Sequence, residues 1–153
     1  MRSIERSAIV PFTSETMFDL VADIAGYPQF LPGCTDARIH SQSAASVSAS
    51  LWISRGPLQF ELRTRNTLVR PAKITMQLER GPFSALAGSW TFVPISSEGA
   101  QVRLQLQFAF ASRFADALLG PLLESLAGEL VGAFARRARE LQGAVPGTAG
   151  QDS

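Results

Sequence analysis

Three of the side chains that build most reactive sites are almost missing. The 153 residues hold one cysteine (Cys34), one histidine (His40) and one lysine (Lys73). A single cysteine excludes an intrachain disulfide. One histidine and one cysteine cannot make a tetrahedral zinc site. A cysteine nucleophile needs a base within hydrogen-bond reach, and His40 lies six residues further along the same predicted strand. Cys34 therefore reads as a small buried hydrophobe and His40 as a surface residue. Neither a phosphate-cradling Gly-rich loop nor a Gly-x-Ser-x-Gly elbow is present, and no paired carboxylates stand at working distance. The residues point to a binding protein without a resident cofactor rather than to an enzyme.

Charge is also scarce. Charged residues make up 18% of the chain, below the roughly 25% usual for soluble domains. The net charge of +1 gives no reason to expect wholesale nucleic-acid or DNA binding. The longest uncharged run, Gly81 to Ser97, is interrupted by Pro82, Gly88 and Pro94. A spanning helix needs about 20 apolar residues, so none is expected. Glu5 stands where a signal peptide would place its apolar core. A cytoplasmic protein is expected, with any contact at the inner membrane peripheral.

Against these absences stands a hydrophobic content of 46%, enough for one sizeable core. Ile4 to Val10 reads as a strand ended by Pro11. Thr13 or Ser14 then caps a helix with Glu15 in its first turn. Met17, Leu20, Val21 and Ile24 share one face of that helix, which Gly26 should end. Pro32-Gly33 marks a turn. Alternating segments follow around Val47–Ile53, Phe60–Arg65, Ile74–Glu79 and Trp90–Phe92, with Gly81 to Gly88 as a loop. The longest alternation sets Val102, Leu104, Leu106, Phe108 and Phe110 against Gln101, Arg103, Gln105 and Gln107. A period of two held so long means a sheet with one wet and one buried face.

From Phe114 to Leu141 the period becomes helical, through Leu118, Leu119, Leu122, Leu126, Leu130, Val131, Phe134 and Ala138. Such a helix would be roughly 40 Å long, kinked or split at Gly120-Pro121. Residues 1–142 form one domain, and 143–153, rich in Gly, Ala and Pro, read as a disordered tail. The layout predicts an α+β helix-grip fold, a curved antiparallel sheet wrapped around one long C-terminal helix. A curved sheet does not close evenly on a single cylinder, so an apolar cavity is expected.

Val10-Pro11, Met17-Phe18-x-Leu20-Val21-x-Asp23-Ile24 and Tyr27-Pro28-Gln29-Phe30-Leu31-Pro32-Gly33-Cys34-Thr35 go beyond pattern. So do Gly81-Pro82-Phe83 with Leu86, Gly88-Ser89-Trp90-Thr91-Phe92-x-Pro94, and Leu130-Val131-x-Ala133-Phe134-x-x-Arg137-Ala138. On these residues the chain, from about 4 to 141, resembles the coenzyme-Q-binding START-like (polyketide cyclase/SRPBCC) family. Within it the resemblance is to the bacterial branch of ribosome-association (Rat-type) toxins. The resemblance implies the helix-grip fold. It also implies non-catalytic binding of a polyprenyl quinone such as ubiquinone, supporting respiration. For the toxin branch it implies instead binding of the large ribosomal subunit, which blocks subunit joining. An aromatase or cyclase acting on polyketides would rest on shared fold alone.

The expected sheet-side walls of the cavity are Leu62, Met76, Trp90, Phe92, Leu104, Leu106 and Phe108. Leu119, Leu122 and Leu126 of the helix would face them, and the same residues would equally make a solid core. Tyr27, Phe30 and Leu31 gather at one end, with Phe83 and Leu86 in a loop that could cover the mouth or touch a membrane. Tyr27 could donate to a quinone carbonyl or simply anchor its turn. For the ribosome alternative, Arg63, Arg65, Arg70 and Lys73 form a basic strip around one hairpin. Glu61 and Glu79 beside it allow a merely solvated face.

Overall fold

A computed structural model describes residues 1–143. The order is β1 (Arg2–Val10), α1 (Ser14–Ala22), a 3₁₀ turn (Ile24–Gln29), β2 (Cys34–Gln42), β3 (Ser46–Arg55), β4 (Leu58–Val69), β5 (Lys73–Arg80), β6 (Phe83–Ser96), β7 (Gly99–Phe110), α2 (Arg113–Ala127) and α3 (Leu130–Gly143). The seven strands make one antiparallel sheet in the order β1-β7-β6-β5-β4-β3-β2. The expected tail 143–153 lies outside the described residues except for Gly143, which ends α3.

Local chemistry explains the first helix. Thr13 is extended, and its Oγ1 accepts from the Thr16 N–H at 3.1 Å, which satisfies one orphan donor of the first turn. Met17, Phe18 and Val21 are buried on the helix's inner face. The helix ends at Asp23, earlier than Gly26 suggests, because the Tyr27-Pro28 segment tightens into the 3₁₀ turn.

Two further expectations need correction. Gly81 to Gly88 is not a loop, since Phe83 opens β6 and pairs with Phe110. The register shifts between Phe83 and Ala85, and an extra residue in a strand breaks the period of two that would reveal it. Nor does the C-terminal helix divide at Gly120-Pro121. Both residues lie inside α2, and the break falls at Gly128–Glu129. Pro121 removes one N–H from the helix ladder, but Ala117 and Pro121 are both exposed, so water can take the freed Ala117 carbonyl. Arg113–Gly143 is nonetheless long and apolar enough to cross a membrane by length and composition, contrary to expectation, although a third of its most apolar window is buried against the protein.

The sheet's inner face carries two packed clusters. In one, Trp90, Phe92, Val102 and Leu104 of the sheet meet Phe18 and Val21 of α1 and Phe134 of α3. In the other, Leu58, Phe83, Leu86, Phe108 and Phe110 of the sheet meet Leu123 and Leu126 of α2. The helix break stands over the seam between them.

Candidate functional site: an apolar cavity at the helix break

At that seam is a cavity of about 120 Å³ with almost no polar surface. The 3₁₀ turn and its exit contribute Tyr27, Leu31, Pro32 and Cys34. The sheet adds Leu51 and Ile53 from β3, Phe60, Leu62 and Thr64 from β4, and Met76 from β5. Leu86 and Trp90 come from β6, and Leu104 and Leu106 from β7. The helices close it with Leu123, Leu126 and Ala127 before the break, and Leu130 and Phe134 after it.

Gly88 makes room for two of these walls. It pairs with Met76 on one side and Leu106 on the other. A Cβ there would lie 3.0 Å from each of those side chains and 2.6 Å from the Gln105 carbonyl oxygen. Phe134 is the hub of the α3 side, with ring centroids 5.4 Å from Tyr27, 5.3 Å from Phe30 and 5.2 Å from Trp90, all edge-on. Such pairs add to plain area burial.

Of the expected wall, Tyr27, Leu31, Leu62, Met76, Leu86, Trp90, Leu104, Leu106 and Leu126 come together around the hollow. The others do not reach it. Phe92 packs against Phe18 at 5.7 Å, and Phe108 lies in the α2 cluster beside Phe83. Phe83 is buried there too, stacked on Phe110 at 4.7 Å, so neither it nor Leu86 is free to cover a mouth or touch a membrane. Phe30 sits behind Tyr27 with the Arg137 guanidinium 5.4 Å over its ring. Leu119 is a neighbour of the second cluster, and Leu122 is 40% exposed. Leu123, Ala127, Leu130 and Phe134 were missed, although all four fall in the helical stretch. Leu130 and Phe134 lie on the helical stripe itself, whereas the orientation of Leu123 and Ala127 follows from the break, which no periodicity displays.

The cavity offers little chemistry. The Tyr27 hydroxyl donates to the Val21 carbonyl, so it anchors its turn and does not face a ligand; burial raises its pKa. Burial pushes the Cys34 thiol up to about 11, which keeps it protonated and unreactive. Among the described residues no group of three His, Cys, Asp or Glu side chains could hold a metal.

The expected basic strip is largely neutralised. Arg63 Nε and Arg65 Nε lie 3.2 and 3.0 Å from the Glu79 carboxylate, which also accepts from the Ser48 hydroxyl. The Ser48 hydrogen bond, aided by Arg65 and Arg63, holds the Glu79 carboxyl below its usual range. Ser50 donates to Glu61 at 2.7 Å and contacts His40 Nε2 at 2.8 Å. Arg70 turns away to α1, where it grips Asp19 through two 2.8 Å hydrogen bonds. Lys73 has no carboxylate partner among the described residues. On the exposed face of α3, Arg136 and Arg139 also have none, and they flank the Phe30–Arg137 contact.

The family model described as polyketide cyclase/dehydrase and lipid transport matches residues 10–135. The ribosome association toxin RatA of Pseudomonas aeruginosa is 39% identical over 140 residues, covering 92% of this chain and 97% of the relative. The mitochondrial coenzyme Q-binding protein COQ10 of Drosophila melanogaster is 21% identical, over 90% of this chain and 59% of the relative. Among solved structures, the Zhui aromatase/cyclase of a Streptomyces species superposes with a TM-score of 0.84 at 18% identity, over 95% of this chain and 98% of that one. The fold is thus the START-like helix grip, and the chain belongs to the polyketide cyclase/dehydrase and lipid transport family, with greater likeness to its ribosome association toxin members than to its coenzyme Q-binding one.

Proposed function

We propose that this protein is a ribosome-binding growth inhibitor acting in the cytoplasm, which engages the large subunit and hinders subunit joining. One observation carries the reading: likeness to a ribosome association toxin extends over nearly the full length of both chains. Binding needs cations free to meet phosphate. Arg136 and Arg139 on α3 fit that need better than Arg63 and Arg65, which are already held by Glu79. The test is a sucrose gradient of ribosomal subunits with added protein. A rise in free subunits at the expense of joined ribosomes supports the reading, and Arg136→Ala with Arg139→Ala should reverse it. An unchanged profile at protein in excess over subunits removes it.

The cavity favours a second activity, non-catalytic uptake of an apolar ligand. Its walls suit hydrocarbon, and each buried methylene contributes about 0.8 kcal/mol. Its volume of about 120 Å³ is close to the roughly 150 Å³ of an engineered cavity that admits one benzene ring. A polyprenyl quinone is larger than this volume, so its uptake requires the walls to part. Organic extraction of the purified protein followed by mass analysis tests this. A quinone or other lipid at near-stoichiometric amount supports uptake, and an empty extract from quinone-replete cells counts against it.

A further inference from the structure

Helix α2 is apolar on two sides. Leu123, Leu126 and Ala127 face the cavity. On its outward side Phe114 is 77% exposed, Leu118 57% and Leu122 40%. Their spacing of four puts them on one line along the helix, and Ala117, Pro121 and Ser125 beside them are also exposed. This outer face carries no carboxylate. The two acids of α2, Asp116 and Glu124, are drawn to the flank by Arg2, whose guanidinium lies 3.4 Å from the Asp116 carboxylate and 3.0 Å from that of Glu124.

A cation stands at one end of the line. Arg113 is the first residue of α2. It is exposed and has no carboxylate partner among the described residues. A cation in a first turn opposes the helix dipole, so Arg113 does not help the fold there.

We propose that the outer face of α2 lies on an anionic lipid surface. Phe114, Leu118 and Leu122 enter the boundary between headgroups and acyl chains, and Arg113 meets lipid phosphate. The observations favour a bilayer over a second copy of the chain. Six side chains on one helix fall far short of the roughly 20–30 residues a side in a stable protein interface, whereas an interfacial helix needs only one apolar face and basic neighbours. The same helix walls the cavity, so docking would bring the cavity next to lipid. The docking itself stands apart from ribosome binding, and it is tested without any cavity ligand.

The experiment is vesicle flotation of the full chain, using phosphatidylcholine vesicles with and without phosphatidylglycerol. Wild type should float with the anionic vesicles at low salt and much less at high salt. Phe114→Ser with Leu118→Ser should reduce flotation to background, and so, separately, should Arg113→Glu. All three sites are exposed, so an unchanged melting temperature verifies the fold of each variant. Absence of wild-type flotation, or flotation unaffected by folded variants, overturns the proposal. So does loss of self-association or of ribosome co-sedimentation in the variants when vesicle binding is absent, since the face would then serve protein or RNA.

Discussion

The Arg2 guanidinium occupies the space that a side chain on Gly120 would need. A Cβ at Gly120 would fall 1.9 Å from Arg2 Nε, and from that position Arg2 donates to the Asp116 carbonyl at 2.9 Å and to Glu124 at 3.0 Å. Strand β1 is thereby tied to helix α2 through a gap left by the missing methyl group.

Gly120→Ala accordingly has opposite expected signs in two backgrounds. Alanine favours a helix over glycine by about 1 kcal/mol. In the native background the methyl displaces Arg2, and the loss of its charged hydrogen bonds should leave the variant less stable by about 1 kcal/mol. In an Arg2→Ala background the same change should stabilise by about 1 kcal/mol. Urea denaturation of the four proteins measures both, and an equal effect in the two backgrounds contradicts the contact.

Phe134→Ala should destabilise by about 3–5 kcal/mol. The loss removes the ring that Tyr27, Phe30 and Trp90 all meet edge-on. It also enlarges a hollow that is already apolar, so benzene should raise the variant's melting temperature more than that of wild type. An equal response of the two proteins would mean that the ring does not border the cavity.

Cys34 reports on access to the same space. Its thiol is buried and pushed up to about 11, so near neutral pH an aromatic disulfide reagent should modify the native protein far more slowly than the urea-unfolded chain. Acceleration by anionic vesicles, measured from reagent absorbance, would indicate that the cavity opens on docking. Rapid labelling of the native protein in buffer would rule out a closed hollow.

Acid should erase the contribution of Glu79. Its carboxyl is held below the usual range, chiefly by Ser48 with support from Arg65 and Arg63. A group depressed in the folded state stabilises above its unfolded pKa, and that stability is lost as pH falls through the folded value. Glu79→Gln should thus be less stable than wild type near neutrality, with the gap closing as pH falls through and below the ordinary carboxylate range. Chemical denaturation across that range tests it, and a gap independent of pH would show that the charge is irrelevant.

How far the sequence reveals this molecule differs from element to element. Strand β7 is plain, because Val102, Leu104 and Phe108 are buried at every second or fourth position. The Thr13 cap is equally plain, since a hydroxyl three residues before an N–H is a local matter. The start of β6 is hidden by its bulge, and Gly81-Pro82 resembles a loop more than a strand entrance. On α2 the obvious breaker was the wrong one: Pro121 is accommodated on the wet side while Gly128 ends the helix. That choice sets the helix rotation, so Leu123, Leu126 and Ala127 line the cavity while Leu119 and Leu122 do not. Sheet-side walls such as Leu62, Met76 and Leu104 follow from alternation alone. Ion pairs spanning 51 positions, such as Arg70 with Asp19, leave no local trace, whereas Glu79, which pairs with Arg63 and Arg65, is visible in the sequence as an acidic neighbour of the basic strip.

The pairing of β1 with β7, in which Arg2 faces Phe108, has a consequence for synthesis. Strand β1 leaves the ribosome well before β7 and must wait for it before that edge of its backbone finds partners. Closing so long a loop is slow, and until then the nascent chain presents an unmatched edge and an unfinished greasy interior. Chains cut short before Gly99 should be captured by chaperones or proteases, whereas release of chains that include β7 and the helices after it should be followed by cooperative acquisition of protease resistance.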